Sequence, residues 1–296
     1  MRKGFTITVT VIAIIILWYF FIKPQDYQIR VVAKSNIGTI NQVLKAWNKT
    51  LPEASIRQLE DLAHLEQMIV KGDSTYVYNW NIFPITDSTS QLVVGVKDAE
   101  HSFSNKLAVP FSDTNFEIQS RKTVTDFIEC LNAHRKEFKV TFMGEDMLPS
   151  TYCACVEHKT VQSNKAFGMM ESYPFLNSII SGNGIQLNGV PFIETTNWNM
   201  QNDSITFNFC YPIIKTDSLP TIKNIVYKEF TGKKSLKAIY HGHYMTSDRA
   251  WYTLLDHAEG KNLKIEKKPI EFFFNNPNMG GDALRWKTEI FMPLID

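Results

Sequence analysis

The sequence predicts an α+β protein, and three observations carry that prediction. Strand-like stretches with two-residue alternation are interspersed with stretches of helical period. The first half runs strand, helix, several strands and a long helix, and the second half contains a strand-helix-strand-strand unit twice. The chain has 296 residues, enough for two ordinary domains, and 44% hydrophobic residues to fill their cores. Lys and Arg total 31 against 30 Asp and Glu. No basic surplus is left to hold nucleic acid, which is not expected as a partner.

Taken in order, the first 22 residues stand apart. From Phe5 to Ile22 there is no charge, Lys23-Pro24 closes the run, and Trp18 and Tyr19 suit an interfacial zone. A transmembrane anchor over residues 5–22 is expected. A cleaved secretory signal is the rival, but no small-x-small motif follows Ile22. Arg2 and Lys3 then put residues 1–4 on the cytoplasmic side and the bulk of the chain outside, on a single-pass membrane protein.

Residues 27–33 alternate like a strand, and Ser35 or Asn36 can cap a helix whose apolar residues are Ile37, Ile40, Val43, Leu44 and Trp47. Strands are expected over residues 75–83, 91–96 and 106–110, separated by Asp, Ser and Thr clusters. Helical spacing returns over 123–138 through Val124, Phe127, Ile128 and Leu131. Residues 27–150 in this order resemble the START-like, or polyketide-cyclase-like (SRPBCC), helix-grip fold. That resemblance implies a curved sheet wrapped around a long helix and an apolar cavity.

Four cysteines do not make a dense disulfide framework. Cys153 and Cys155 share one face of a strand, and no partner pair with zinc spacing accompanies them, so core packing is expected and no metal site.

From residue 152 the duplicated unit begins. The first copy reads strand (152–161), helix (163–180), Gly-rich turn, and strands over 190–195 and 204–213; the second reads strand (234–244), helix (247–259), and strands over 269–275 and 284–294. The last strands align as SITFNFCYPI and LRWKTEIFMPL, each with a closing proline, Pro212 and Pro293. Gly242-x-Tyr244, Ala250-Trp251, Leu254-Leu255, Pro269-x-Glu271, Asn276-Pro277 and Thr288-Glu289-Ile290 with Pro293 make residues 152–296 resemble the GyrI-like small-molecule-binding domain, the effector-binding module of AraC-type and multidrug-sensing regulators. Two departures affect polar recognition: Phe273 stands where the family often has Tyr, and Asn276 where it often has Asp.

The resemblance implies a ligand groove between the two repeats, lined by aromatic side chains, with Glu289 as its acidic anchor and Asn208 as the neutral counterpart in the first repeat. Tyr240, Tyr244, Trp286, Trp198 and Tyr173 are the aromatic candidates. A carboxylate among ring faces attracts an organic cation by charge and cation–π contact, so a small organic molecule is the expected partner, with no cofactor. Trp251 has core spacing with Leu254 and Leu255, His241 and His243 read as surface groups, and Glu271 suits either a site or a structural pair. Two alternatives stand beside membrane-anchored ligand binding. One is hydrolysis of reactive xenobiotic small molecules by Glu289 with Tyr240 or Tyr244; the other is a non-catalytic structural or interaction protein. No helix-turn-helix precedes the repeats, which disfavours a DNA-binding regulator.

Overall fold

The computed structural model describes residues 2–295, with side chains from residue 7 onward. Met1, and with it part of the expected cytoplasmic end, lies outside the described residues. The chain divides into two units, one ending at Asn132 and one starting at Ala133.

The expected transmembrane anchor is corrected. Helix α1 (Arg2–Leu17) has 16 residues, about 24 Å at 1.5 Å each, and passes into a five-residue π-turn (Trp18–Ile22). No helix among the described residues is long and apolar enough to cross a membrane. The end of the apolar run is tied to the first unit. Tyr19 donates to the Lys106 carbonyl at 3.0 Å, Phe20 packs 5.1 Å from Phe103, and the Lys106 ammonium donates to the carbonyls of Phe20 and Lys23 at 3.2 and 2.6 Å.

The first unit is an antiparallel five-stranded sheet in the order β1-β5-β4-β3-β2, formed by β1 (Tyr27–Ala33), β2 (Ala54–Gln58), β3 (His64–Lys71), β4 (Ser74–Thr86) and β5 (Thr89–Asp98). Asn36 caps α2 (Ile37–Asn48) by accepting from the Thr39 amide at 2.9 Å, and Ile40, Val43, Leu44 and Trp47 are buried as their spacing requires. Strand β4 buries alternate residues, and Tyr76, Tyr78, Trp80 and Ile82 meet α4 (Asn115–His134). Where a helix-grip cavity was expected, the space holds rings: Trp80 and Trp47 lie 5.0 and 5.6 Å from Phe127, and Tyr76 lies 5.2 Å from Phe116.

Two expectations shift in this unit. The strand expected over 106–110 is helix α3 (Ser102–Ala108). Asp98 accepts from the amides of Glu100 and His101 and from the Asn105 side chain, which turns the chain into a helix, and the apolar run is too short to fix a period of its own. The helix expected over 123–138 begins earlier, at Asn115, and ends at His134.

The second unit is an eight-stranded antiparallel sheet made from β6 (Phe138–Met147), β7 (Thr151–Val161), β8 (Phe192–Asn199), β9 (Ser204–Pro212), β10 (Val226–Phe230), β11 (Lys234–Gly242), β12 (Ile270–Phe273) and β13 (Lys287–Pro293). Its order, β10-β7-β9-β8-β12-β13-β11-β6, reads the same from either edge once the two repeats are exchanged. Each repeat supplies three strands, and β8 and β12 join them. The strands that precede the repeats cross over: β6 pairs with β11 of the second repeat and β10 with β7 of the first. The expected boundary at residue 150 therefore moves to 133, because β6 belongs to this sheet. Helices α5 (Lys165–Gly182) and α6 (Arg249–Gly260) cover one face, α5 on β7 and β9, α6 on β11, β13 and β6.

Trp80 is 1% exposed and anchors a buried polar chain: its indole donates to Gln67 at 3.1 Å, and Gln67 donates to Asn48 at 2.9 Å. Trp80→Ala is expected to cost about 3 to 5 kcal/mol of unfolding free energy, read from the denaturant midpoint followed by circular dichroism.

Candidate functional site

Register partners across a sheet share a face, so the pairings sort the residues singled out in the sequence. Tyr240 pairs with Thr288, Ile239 with Glu289, and Phe272 with Glu289. Tyr240 and Thr288 therefore face the helices while Glu289 faces away, on the opposite surface of the sheet. Glu289 meets the ammonium groups of Lys287 at 2.6 Å and Lys237 at 3.1 Å. Burial alone would raise its pKa, but those two lysines outweigh it and hold the carboxyl below its ordinary range. Asn208 lies on the same outer face and donates to Glu194 at 2.8 Å. Glu289 and Asn208 do occupy corresponding places, since Pro212 and Pro293 pair with the corresponding first strands. Neither reaches the space between the helices. The expected catalytic pairing of Glu289 with Tyr240 is excluded by the sheet that separates them.

On the helix side the strand residue that carries a buried carboxylate is Glu271. At the join of the repeats it is the register partner of Ile193, so the pseudo-twofold axis passes between them, and only one of the two equivalent places carries a carboxylate. Glu271 is fully buried, as is Lys165, the first residue of α5, and their charged groups lie 2.5 Å apart. Ser247 accepts from Lys165 at 2.7 Å and donates to Glu271 at 2.6 Å. Lys165 and Ser247 themselves correspond: each follows a one-turn 3₁₀ segment, Gln162–Asn164 and Tyr244–Thr246. Three polar groups from both repeats thus converge on the axis in a space without solvent, where each satisfies the others.

Aromatic rings wall this centre. The Lys165 ammonium sits 4.6 Å from the Trp251 ring centroid, and Trp198 packs 5.2 Å from Trp251 and 5.5 Å from Tyr252. Gln162 accepts from Trp198 at 2.9 Å and donates to Tyr252 at 2.9 Å and to Asp248 at 2.5 Å; Arg249 also donates to the same Asp248 oxygen. The other Asp248 oxygen, Oδ1, and the Trp251 indole Nε1 are buried with no hydrogen-bond partner among the described residues. Burial pushes the Tyr252 hydroxyl well above its usual value, so it stays protonated.

Of the aromatic residues expected in the groove, Trp198 reaches the centre. Tyr240 is buried and closes a turn by donating to the His243 carbonyl at 3.0 Å. Tyr244 packs 4.8 Å from Phe273 and 5.7 Å from Trp286, and its hydroxyl, pushed up to about 12 by burial, donates to the Asn275 carbonyl. Tyr173 on α5 is half-buried and accepts from Asn276 of the second repeat at 3.3 Å. Lys165, Ser247, Asp248 and Gln162 were not singled out in the sequence, because polar residues at helix starts read as caps. The cysteines also differ from expectation: Cys155 and Cys210, direct partners on β7 and β9, form a disulfide.

No protein-family model matches the chain, and no curated protein matches it in sequence. Among solved structures it is similar to the EcmrR C-terminal domain, at 15% identity and a TM-score of 0.45 over 54% of this chain and 98% of that one. It is similar to SAV2435 bound to tetraphenylphosphonium at 10% identity and a TM-score of 0.37, over 52% and 94%. A putative transcription regulation protein from Staphylococcus aureus is similar at 12% identity and a TM-score of 0.35, over 53% and 99%. The likeness is one of chain path, and the chemistry of this chain rests on its own side chains.

Lys165→Met strands a buried carboxylate and is expected to cost about 3 to 5 kcal/mol, while Lys165→Met with Glu271→Leu recovers most of it; urea unfolding of both variants measures the coupling. Glu289, whose folded pKa is lowered, contributes stability that is present above the ordinary carboxyl value and lost as pH falls through the lowered one. Glu289→Gln is therefore expected to be less stable than wild type at neutral pH and to converge with it in acid, as read by thermal unfolding across that range.

Proposed function

We propose that the second unit is a small-molecule-binding module whose polar centre is Glu271, with Lys165 as the internal cation that a ligand displaces from the carboxylate. The observation that carries this reading is the unfinished hydrogen bonding at the repeat axis: among the described residues Asp248 Oδ1 and Trp251 Nε1 are buried without partners, beside a paired carboxylate and three aromatic rings packed edge to face. The ligand class follows from what the site already accommodates, an ammonium held between Glu271 and the face of Trp251. An organic cation with apolar substituents meets the same charge and ring contacts.

A second reading is favoured by the filled state of the centre. Lys165 and Glu271 are wholly buried and neutralise each other, so the repeats also suit a closed scaffold that acts as a non-catalytic interaction protein. One titration separates the two. Tetraphenylphosphonium, a lipophilic cation, is added to wild type, Lys165→Met, Glu271→Gln and Glu289→Gln, and tryptophan fluorescence is followed. Ligand binding predicts saturable quenching in wild type, about tenfold or greater weakening in Glu271→Gln, no change in Glu289→Gln, and tighter binding in Lys165→Met, where the competing internal cation is gone. Absence of binding by both wild type and Lys165→Met would leave the scaffold reading.

A further inference from the structure

The face of the sheet turned away from the helices holds a second cluster, unrelated to the Glu271 centre. Cys153 and Cys155 on β7 and Cys210 on β9 place three buried sulfurs within 4.8 Å of one another. Two of them form the disulfide, and the third, Cys153 Sγ, lies 3.4 Å from Cys155 Sγ. The fold does not require sulfur here. The register places Ser235, Lys237 and Phe291 at the corresponding positions of the second repeat, in the same sheet geometry. A cross-strand disulfide needs two cysteines, and the third is left over.

The surroundings suit a bound ion. Leu148, Phe192 and Phe230 pack with the cysteines and exclude water. Lys228 is the direct strand partner of Cys153 and forms an ion pair with Glu194, which is itself the partner of Asn208. Between those two rows the residues of β7 and β9 on this face are Cys155 and Cys210, so the ion pair joins the rows on either side of the sulfurs. A cleft of about 270 Å³ opens beside it, lined by Glu194 together with Leu148, Phe230 and Ile270 of the same apolar cluster.

We propose that the reduced chain binds a monovalent copper ion here through the thiolates of Cys153, Cys155 and Cys210. Three soft sulfur donors in apolar surroundings favour copper(I) over hard divalent ions. The site opens when the disulfide is reduced. A water-soluble phosphine takes oxygen from water and becomes its oxide, while the Cys155–Cys210 bond becomes two thiols. Copper(I), unchanged in oxidation state, then forms three bonds to sulfur and three thiol protons leave to solvent. The disulfide form lacks two of the three ligands, so redox state gates the site.

The test uses the full chain, reduced without air by tris(2-carboxyethyl)phosphine and titrated with copper(I) held by the coloured chelator bicinchoninate. The reduced wild type is expected to take one equivalent from the chelator and to develop sulfur-to-copper charge-transfer absorption, and the oxidised chain to take none. Cys153→Ser is expected to bind at least about 100-fold more weakly, more than loss of a group that merely supports a ligand costs. Cys130→Ser, outside the cluster, is expected to match wild type. X-ray absorption of copper-loaded wild type counts the sulfur neighbours whether or not Cys153→Ser folds, with three expected. Two sulfurs, equal uptake by oxidised and reduced chains, or wild-type affinity in Cys153→Ser would each overturn the proposal.

Discussion

A carboxylate shut away from water at the junction of two repeats has to be matched by a cation, and the second unit is arranged around the match between Glu271 and Lys165. The pair joins β12 of one repeat to the start of α5 in the other, and Ser247 closes the third side. Separating them would leave several kcal/mol of uncompensated charge in a low-dielectric space, so the pair fixes how the two repeats meet as well as what lies between them. The Trp198, Trp251 and Tyr252 rings are held around it by Gln162, which bonds to two of the three and to Asp248.

Duplication explains why the chemistry is asymmetric. A twofold arrangement forces equivalent residues to face each other at the axis, and the chain departs from equivalence there: Glu271 opposite Ile193, Lys165 opposite Ser247. Each departure replaces a symmetric and chemically neutral contact with a directed one. The same holds on the other surface, where three cysteines in one repeat correspond to serine, lysine and phenylalanine in the other. Residues that differ between copies of the same geometry are free of the demands of folding that the copies share, and both unusual clusters of the second unit are made of such residues.

The sheet keeps these clusters apart. Its helix-covered face carries the ion pair and the aromatic rings, and its other face carries the cysteines and the Glu289–Lys237–Lys287 group. Glu289, which stands out as a lone acid in an apolar strand, is settled by two lysines on its own surface. Its environment is electrostatic compensation by Lys237 and Lys287 on an interior strand of the sheet.

The sequence by itself determined the element types within the duplicated unit, the duplication and the closing prolines, because each depends on local period or on direct comparison of one stretch with another; the short apolar run at 106–110 was too brief to show that it belongs to a helix. The cap at Asn36, the core residues of α2 and the equivalence of Asn208 with Glu289 were legible for the same reason. Which face of β13 turns inward was not legible, since Ile290, Phe291 and Met292 are all buried and alternation then carries no sign. The crossing of β6 and β10 to opposite edges, the docking of Tyr19 and Phe20 and the meeting of Lys165 with Glu271 depend on contacts between residues far apart in the chain. Only the tertiary structure decides such contacts, because burial and the pairing of charge are properties of the packed molecule and no local stretch contains them.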